Sequence, residues 1–190
     1  ETTRELFDVL GTRKALITKV LDTWESIRIP VGKAAAETEV GRMVEKGVWD
    51  DPVEVDVIQE DAVICKLKLI ISCKYWELVA QRKYKARIVA MGHLFWNKHM
   101  KIVRAMLQDW WTPAASLEAS RFLEARATAH RRRPKSIDLL TAHIQVYLGG
   151  TQPVYVMIDP RVLAVMPPAV RAKWEALRRP VARVRRALYG

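Results

Sequence analysis

Residues 62–91 read A-V-I-C-K-L-K-L-I-I-S-C-K-Y-W-E-L-V-A-Q-R-K-Y-K-A-R-I-V-A-M. The first ten are rich in Val, Ile and Leu, with Lys66 and Lys68 in phase, which predicts a strand with one polar face. Residues 75–80 and 83–91 predict the two arms of a hairpin that turns at Gln81-Arg82. In the second arm Lys83, Lys85 and Arg87 stand two apart, so an extended backbone puts all three on one side. Such a row can line a groove for phosphate, Arg through paired donors and Lys as a point charge. The plainer reading is a solvated strand face.

Working outward, Leu6, Leu10, Leu16, Val20, Trp24 and Ile27 fall near one stripe and predict a helix over residues 4–28. Pro30 and Gly32 end it, which divides a helical extension or linker (1–32) from the remainder (33–190). A second helix is predicted over 33–46, closed by Gly47. Asp50-Asp51-Pro52 turns, and Val53, Val55 and Val57 alternate with acids as a strand would. Residues 93–111 look irregular and aromatic. Ser116 can cap a helix to about residue 130, with Phe122 and Leu123 inward. A short strand over 134–140 and a short helix over 141–148 follow. Val154, Val156 and Ile158 then alternate with Tyr155 and Met157 as a strand, and 168–178 and 181–188 read as short basic helices. The order is α+β. No Gly-rich phosphate loop, nucleophile elbow or H-E-x-x-H is present.

The N-terminus is acidic and mixed, and no apolar run approaches a membrane span, so no membrane partner is expected and the expected compartment is the cytoplasm or the nucleus. Cys65 and Cys73 lie eight apart and read as buried reduced thiols. A metal site joining them to His93 and His99 fits no common ligand spacing. Net charge is +11, unevenly spread: −5 over residues 1–60, +6 over 61–120 and +10 over 121–190. That gradient points to a polyanion partner for the later part, or to a generic basic surface. The run Arg131-Arg132-Arg133 with Lys135, and the group Arg178, Arg179, Arg183, Arg185 and Arg186, carry the same two readings.

Four segments, in one order, resemble the reverse transcriptase domain of copia-type LTR retrotransposons. They are E-V-G-R-M-V-E-K-G-V-W (39–49), K-Y-K-A-R-I-V-A-M-G (83–92), W-T-P-A-A-S-L-E-A-S-R-F-L-E-A-R-A (111–127), and 137–160 with I-D-L-L-T-A-H-I-Q and P-V-Y-V-M-I-D-P. The closing R-R-A-L-Y-G (185–190) is similar to that family's K-K-A-L-Y-G. The resemblance covers about residues 34–190. It implies the fingers and first part of the palm of a right-hand polymerase, with RNA-templated DNA synthesis by two-metal nucleotidyl transfer. It implies Asp138 as the first catalytic carboxylate, which from its position alone also reads as a helix cap. The Leu139 carbonyl would help Asp138 hold Mg²⁺. Lys85 and Arg87 would contact the deoxynucleoside triphosphate. His143 stands where the family carries an aromatic that selects against the 2′-hydroxyl. Lys83, Arg131, Arg132, Arg133 and Lys135 would meet the RNA template and DNA primer. The remainder of the retrotransposon polyprotein is the other implied partner. The family's aromatic-x-Asp-Asp motif does not occur before Gly190, so the chain by itself is expected to be inactive. The alternative is a non-catalytic basic nucleic-acid-binding module from a degenerate or domesticated retroelement.

Overall fold

The structure, a computed structural model, describes residues 17–103, 116–133 and 142–188. Its central element is strand β3 (Val63–Lys74), with β4 (Lys83–Trp96) antiparallel along one edge. The other edge of β3 is shared. Residues 63–67 pair in parallel with β6 (Val154–Ile158), and residues 71–73 pair antiparallel with β1 (Lys19–Leu21). Beyond β6 lies β7 (Pro180–Arg183), then β2 (Val53–Glu54), and β5 (Ile102–Val103) borders β4. The strand order is β2-β7-β6-β3-β4-β5, with β1 beside β3. The described helices are α1 (Thr23–Arg28), α2 (Pro30–Glu45), α3 (Leu117–Ala129), α4 (Ala142–Gln145), α5 (Pro160–Leu163) and α6 (Pro168–Glu175). The class is mixed α+β, and no described helix is long and apolar enough to cross a membrane.

Side-chain alternation decides which parts of the sheet are covered. Leu67, Leu69 and Ile71 point to one face, where they meet Ala86 and Ile88 of β4 and Ala36, Val40 and Met43 of α2. Those three α2 residues follow the three-and-four spacing of a single helix stripe. Val162 of α5 and Trp174 of α6 extend the same core. Among the described residues, the opposite face is covered only at the start of β3. There Ile64, Tyr155 and Val181 pack under Val55, Ile58 and Ala62. Further along, Lys68 and Lys74 are exposed and Ile70 and Ser72 half-buried. Among the described residues, the outer half of the β3–β4 hairpin is thus covered on one side and open on the other.

Several expectations are corrected. Residues 19–21 are strand and not helix, because they find the free edge of β3. Pro30 opens a helix where a stop was expected. It occupies the first helical position, where its missing N–H costs no hydrogen bond. Gly32 lies in the first turn of α2, and a Cβ there would stand 2.2 Å from the Ser26 carbonyl oxygen, so it permits close contact of α1 with α2. Gly47, at φ 59°, follows α2 as expected. After Glu54 the predicted strand turns into a single 3-10 turn, so Val55 packs inward while Val57 is exposed. The hairpin is longer than predicted, its first arm being β3 itself and residues 75–82 its tip. Residues 93–96 continue β4 where irregular chain was expected, with a register break between Cys65 and Leu67. Ser116 caps α3 through the Ala119 N–H, yet Phe122 and Leu123 are exposed and not inward. Residues 180–183 form β7, the only strand within the stretch predicted as a second basic helix, because Val181 and Ala182 bury against β6.

Candidate nucleic-acid and triphosphate interface

Lys83, Lys85 and Arg87 are exposed on the open side of β4, and Tyr84, Ala86 and Ile88 alternate with them toward the core. The ladder places Lys74 opposite Lys83, Ser72 opposite Lys85, Ile70 opposite Arg87 and Lys68 opposite Val89. Directly opposed residues share a face, so five cations from two strands form one patch. No described acid forms an ion pair with any of them. In the sequence Lys68 falls on a polar strand face without being joined to this row and Lys74 is passed over, although the period of two that marks Lys83, Lys85 and Arg87 holds for β3 as well.

Two features lie near the patch. The first is Glu39 of α2, whose carboxyl is buried and pairs with Arg42 at 2.9 Å. Burial pushes its pKa up, while the charges of Arg42, Lys85 and Arg87 pull it down. The second is the hairpin tip. Lys19 lies 4.4 Å and Arg82 4.0 Å from the Trp76 ring centroid, and Arg82 Nε donates to the Trp76 carbonyl. The Trp76 N–H donates to the Ile17 carbonyl, and the Ile17 N–H donates to the Glu77 carboxylate. Thr23 Oγ1 donates to the Leu69 carbonyl further down. Residues 17–23 therefore lie along the edge of β3 as far as the tip.

The other predicted cations divide. Arg131, Arg132 and Arg133 are exposed beyond the end of α3. Arg131 sits at φ 50°, and the N–H groups of Arg131 and Arg132 donate back to the Thr128 and Ala127 carbonyls, closing the helix in a Schellman arrangement with Arg where Gly is usual. Three of the five C-terminal arginines are engaged internally through their side chains. Arg185 pairs with Asp50, Arg179 with Asp56, and Arg186 stacks on Tyr147. Asp138, Leu139 and Lys135 lie outside the described residues, as does the side chain of His143, whose backbone belongs to α4.

Among the described residues, no three His, Cys, Asp or Glu side chains are grouped to hold a metal ion. Cys65 and Cys73 are free and buried, and burial pushes the Cys65 thiol up to about 12. A thiol so shifted stays protonated and inert at neutral pH. His99 instead bonds Glu60, which also pairs with Lys98. Asp159 is a buried cap of α5. It accepts from the Arg161 N–H and lies 3.5 Å from Lys66. Compared with known protein families, curated proteins and solved structures, the chain matches none of them.

Proposed function

We propose that this chain is the fingers and first part of the palm of an RNA-directed DNA polymerase of the copia-type retrotransposon kind, and that the open face of the β3–β4 hairpin receives phosphate. The observation that carries the reading is the five-cation patch. Lys83, Lys85 and Arg87, the basic positions of the segment most similar to the family, share one exposed sheet face with Lys68 and Lys74. A rigid ladder fixes the spacing of these cations before the ligand arrives, so little conformational freedom is lost on binding. In the proposed site Lys85 and Arg87 hold the deoxynucleoside triphosphate, and Lys83 and Arg131 to Arg133 follow the RNA template and DNA primer. Asp138 and the Leu139 carbonyl would hold Mg²⁺, which supplies charge neutralisation and activation of the primer hydroxyl in this chemistry.

The test is calorimetric titration of the chain with a deoxynucleoside triphosphate in Mg²⁺. Charge-assisted hydrogen bonds contribute about 1.5–3 kcal/mol each, so Lys85→Gln and Arg87→Gln should each weaken binding about tenfold or more. Binding that is absent, or indifferent to both substitutions, overturns the triphosphate assignment. The second reading, a basic module that binds nucleic acid without catalysis, is favoured by the exposure of Arg131, Arg132 and Arg133, which form no ion pair with a described acid. It gains support if an RNA–DNA hybrid binds without Mg²⁺ and is not displaced by the triphosphate.

A further inference from the structure

The acidic run of residues 50–56 holds four carboxylates (Asp50, Asp51, Glu54 and Asp56), and residues 173–186 hold six cations. Antiparallel pairing of β2 with β7 and the bridge from Trp49 to Val184 lay these two segments side by side. All four carboxylates then engage the basic segment. Asp50 takes the Arg185 guanidinium, with Nη2 at 2.7 Å and Nε at 2.8 Å from each oxygen. Asp51 takes Lys173 Nζ at 2.7 Å, and Asp56 takes Arg179 Nη2 at 2.6 Å. Glu54 accepts the backbone N–H groups of Arg178 and Arg179 at 2.5 and 3.0 Å.

These contacts are not what joins the strands. Val55, Val181, Ala182 and Val184 are buried beneath them, and exposed ion pairs add only about 0–1 kcal/mol each. The cations keep roughly half their side-chain surface in water: 53% for Lys173 and 47% for Arg179 and for Arg185. A guanidinium offering two donors, a second guanidinium, an ammonium and a pair of backbone N–H groups make up the donor set that binds phosphate oxygens. Here each member holds a carboxylate oxygen of the same chain.

We propose that residues 50–56 act as a built-in mimic of a nucleic-acid backbone, masking a second phosphate-binding face formed by Lys173, Arg179 and Arg185. The mask sets which surface a polyanion can use. Among the described residues, the hairpin patch carries no acid in ion-pair contact and stays open, whereas the β2–β7 edge is neutralised from within. The basic surplus of the later chain is thus smaller to a ligand than the sequence suggests. Removing the carboxylates' charge should open the second face.

The experiment is fluorescence anisotropy of a labelled RNA–DNA hybrid duplex with the whole chain, titrated from about 0.05 to 0.2 M salt. D50N/D51N/D56N leaves Glu54 and its backbone bonds in place. Three newly available cations should steepen the log–log salt slope by about 2–3, at about 0.7–0.9 per phosphate. That is an extra loss of affinity of about 20–40-fold across the range. Two comparisons guard against a general charge effect. E25Q/E45Q/D61N removes three exposed acids that make no ion pair among the described residues, and it should leave the slope near wild type. Adding K173Q/R179Q/R185Q to the Asn triple should cancel its gain.

An Asn triple that is folded by circular dichroism yet keeps the wild-type slope overturns the proposal. So does a control triple that gains as much. If the Asn triple does not fold, Asp51→Asn alone decides, because Lys173 lies on α6 and its loss of a partner leaves both strands intact; the expected gain is about 0.7–0.9 in slope. Wild-type chain that fails to bind the hybrid counts against the function proposed above, while a gain in the Asn triple still reports this face.

Discussion

Trp76→Ala tests whether the hairpin tip is held by the strap of residues 17–23. The ring carries two cations, Lys19 from the strap and Arg82 from the tip itself. At half-exposed sites a cation over an indole contributes about 0.5–1 kcal/mol, so loss of both should cost about 1–2 kcal/mol. The backbone bond from residue 76 to Ile17, and that from Arg82 Nε to the residue 76 carbonyl, do not need the indole and should survive. Double-mutant cycles of Trp76→Ala with Lys19→Gln and with Arg82→Gln, read by urea unfolding, therefore isolate the ring contacts. Each should give a coupling of about 0.5–1 kcal/mol. Loss of the Lys19 contact should also be local. β1 is held to β3 by only three residue pairs, so hydrogen exchange at residues 19–21 should accelerate in Trp76→Ala while residues 67–71 keep their protection. Couplings within about 0.3 kcal/mol of zero in both cycles, or uniform loss of protection through β3, would refute the strap.

Gly32→Ala should destabilise the chain by about 1–3 kcal/mol, despite the higher helix propensity of Ala, because the added methyl meets the Ser26 carbonyl at 2.2 Å; thermal unfolding checks it, and a neutral or stabilising result would show that α1 moves freely. Leu69→Ala, at a fully buried site in β3, should cost about 2–5 kcal/mol, while Leu123→Ala, 63% exposed on α3, should stay within about 0.5 kcal/mol; similar losses at both sites would contradict the burial. For Glu39, burial holds the folded pKa above 4.5, so the folded chain binds the proton more tightly than the unfolded one. The contribution of this residue to stability therefore falls as pH rises from about 4.5 through its folded pKa. Glu39→Gln should remove that decline, so urea midpoints at pH 4 and pH 7 should move in the variant's favour as pH rises. An unchanged difference would mean that the carboxyl is solvated.

The parts of the fold legible in the sequence are those where one local pattern dominates. β3 and β6 show in the sequence through apolar residues in strand patterns and α2 through its Ala-rich run closed by Gly47, and each lies in the core. Misreadings fall where a local pattern fits two structures and a distant partner decides. Val20 and Trp24 suit a helix stripe, but the free edge of β3 captures residues 19–21 as strand. Residues 181–188 look helical by charge and Ala content, yet Val181 and Ala182 are drawn into the sheet beside Tyr155 and Val156. Val53, Val55 and Val57 alternate, but only the first pairs as strand; the ladder ends at Glu54 opposite Pro180, and Val55, whose N–H still reaches the Arg179 carbonyl, opens the 3-10 turn. Such partners lie up to 135 residues away, as Arg185 does from Asp50, and no window of sequence contains both.

The candidate site shows the same division between what a strand repeats and what a fold brings together. Lys83, Lys85 and Arg87 were legible as one row because alternation along a strand is local, and Lys68 and Lys74 were legible by the same rule. That the two rows form one patch depends on register, with Lys74 opposite Lys83, and register was open because the first arm of the hairpin was placed at 75–80 in place of β3. Charge totals mislead in a further way. The −5 of residues 1–60 and the +10 of residues 121–190 look like two separate surfaces, yet residues 50–56 and 173–186 meet along one sheet edge and cancel there. A polyanion would respond to what remains after that cancellation. Among the described residues, the open hairpin face carries five cations with no acid in ion-pair contact, whereas Lys173, Arg179 and Arg185 of the last third each hold a carboxylate from residues 50–56, so that third falls short of its +10.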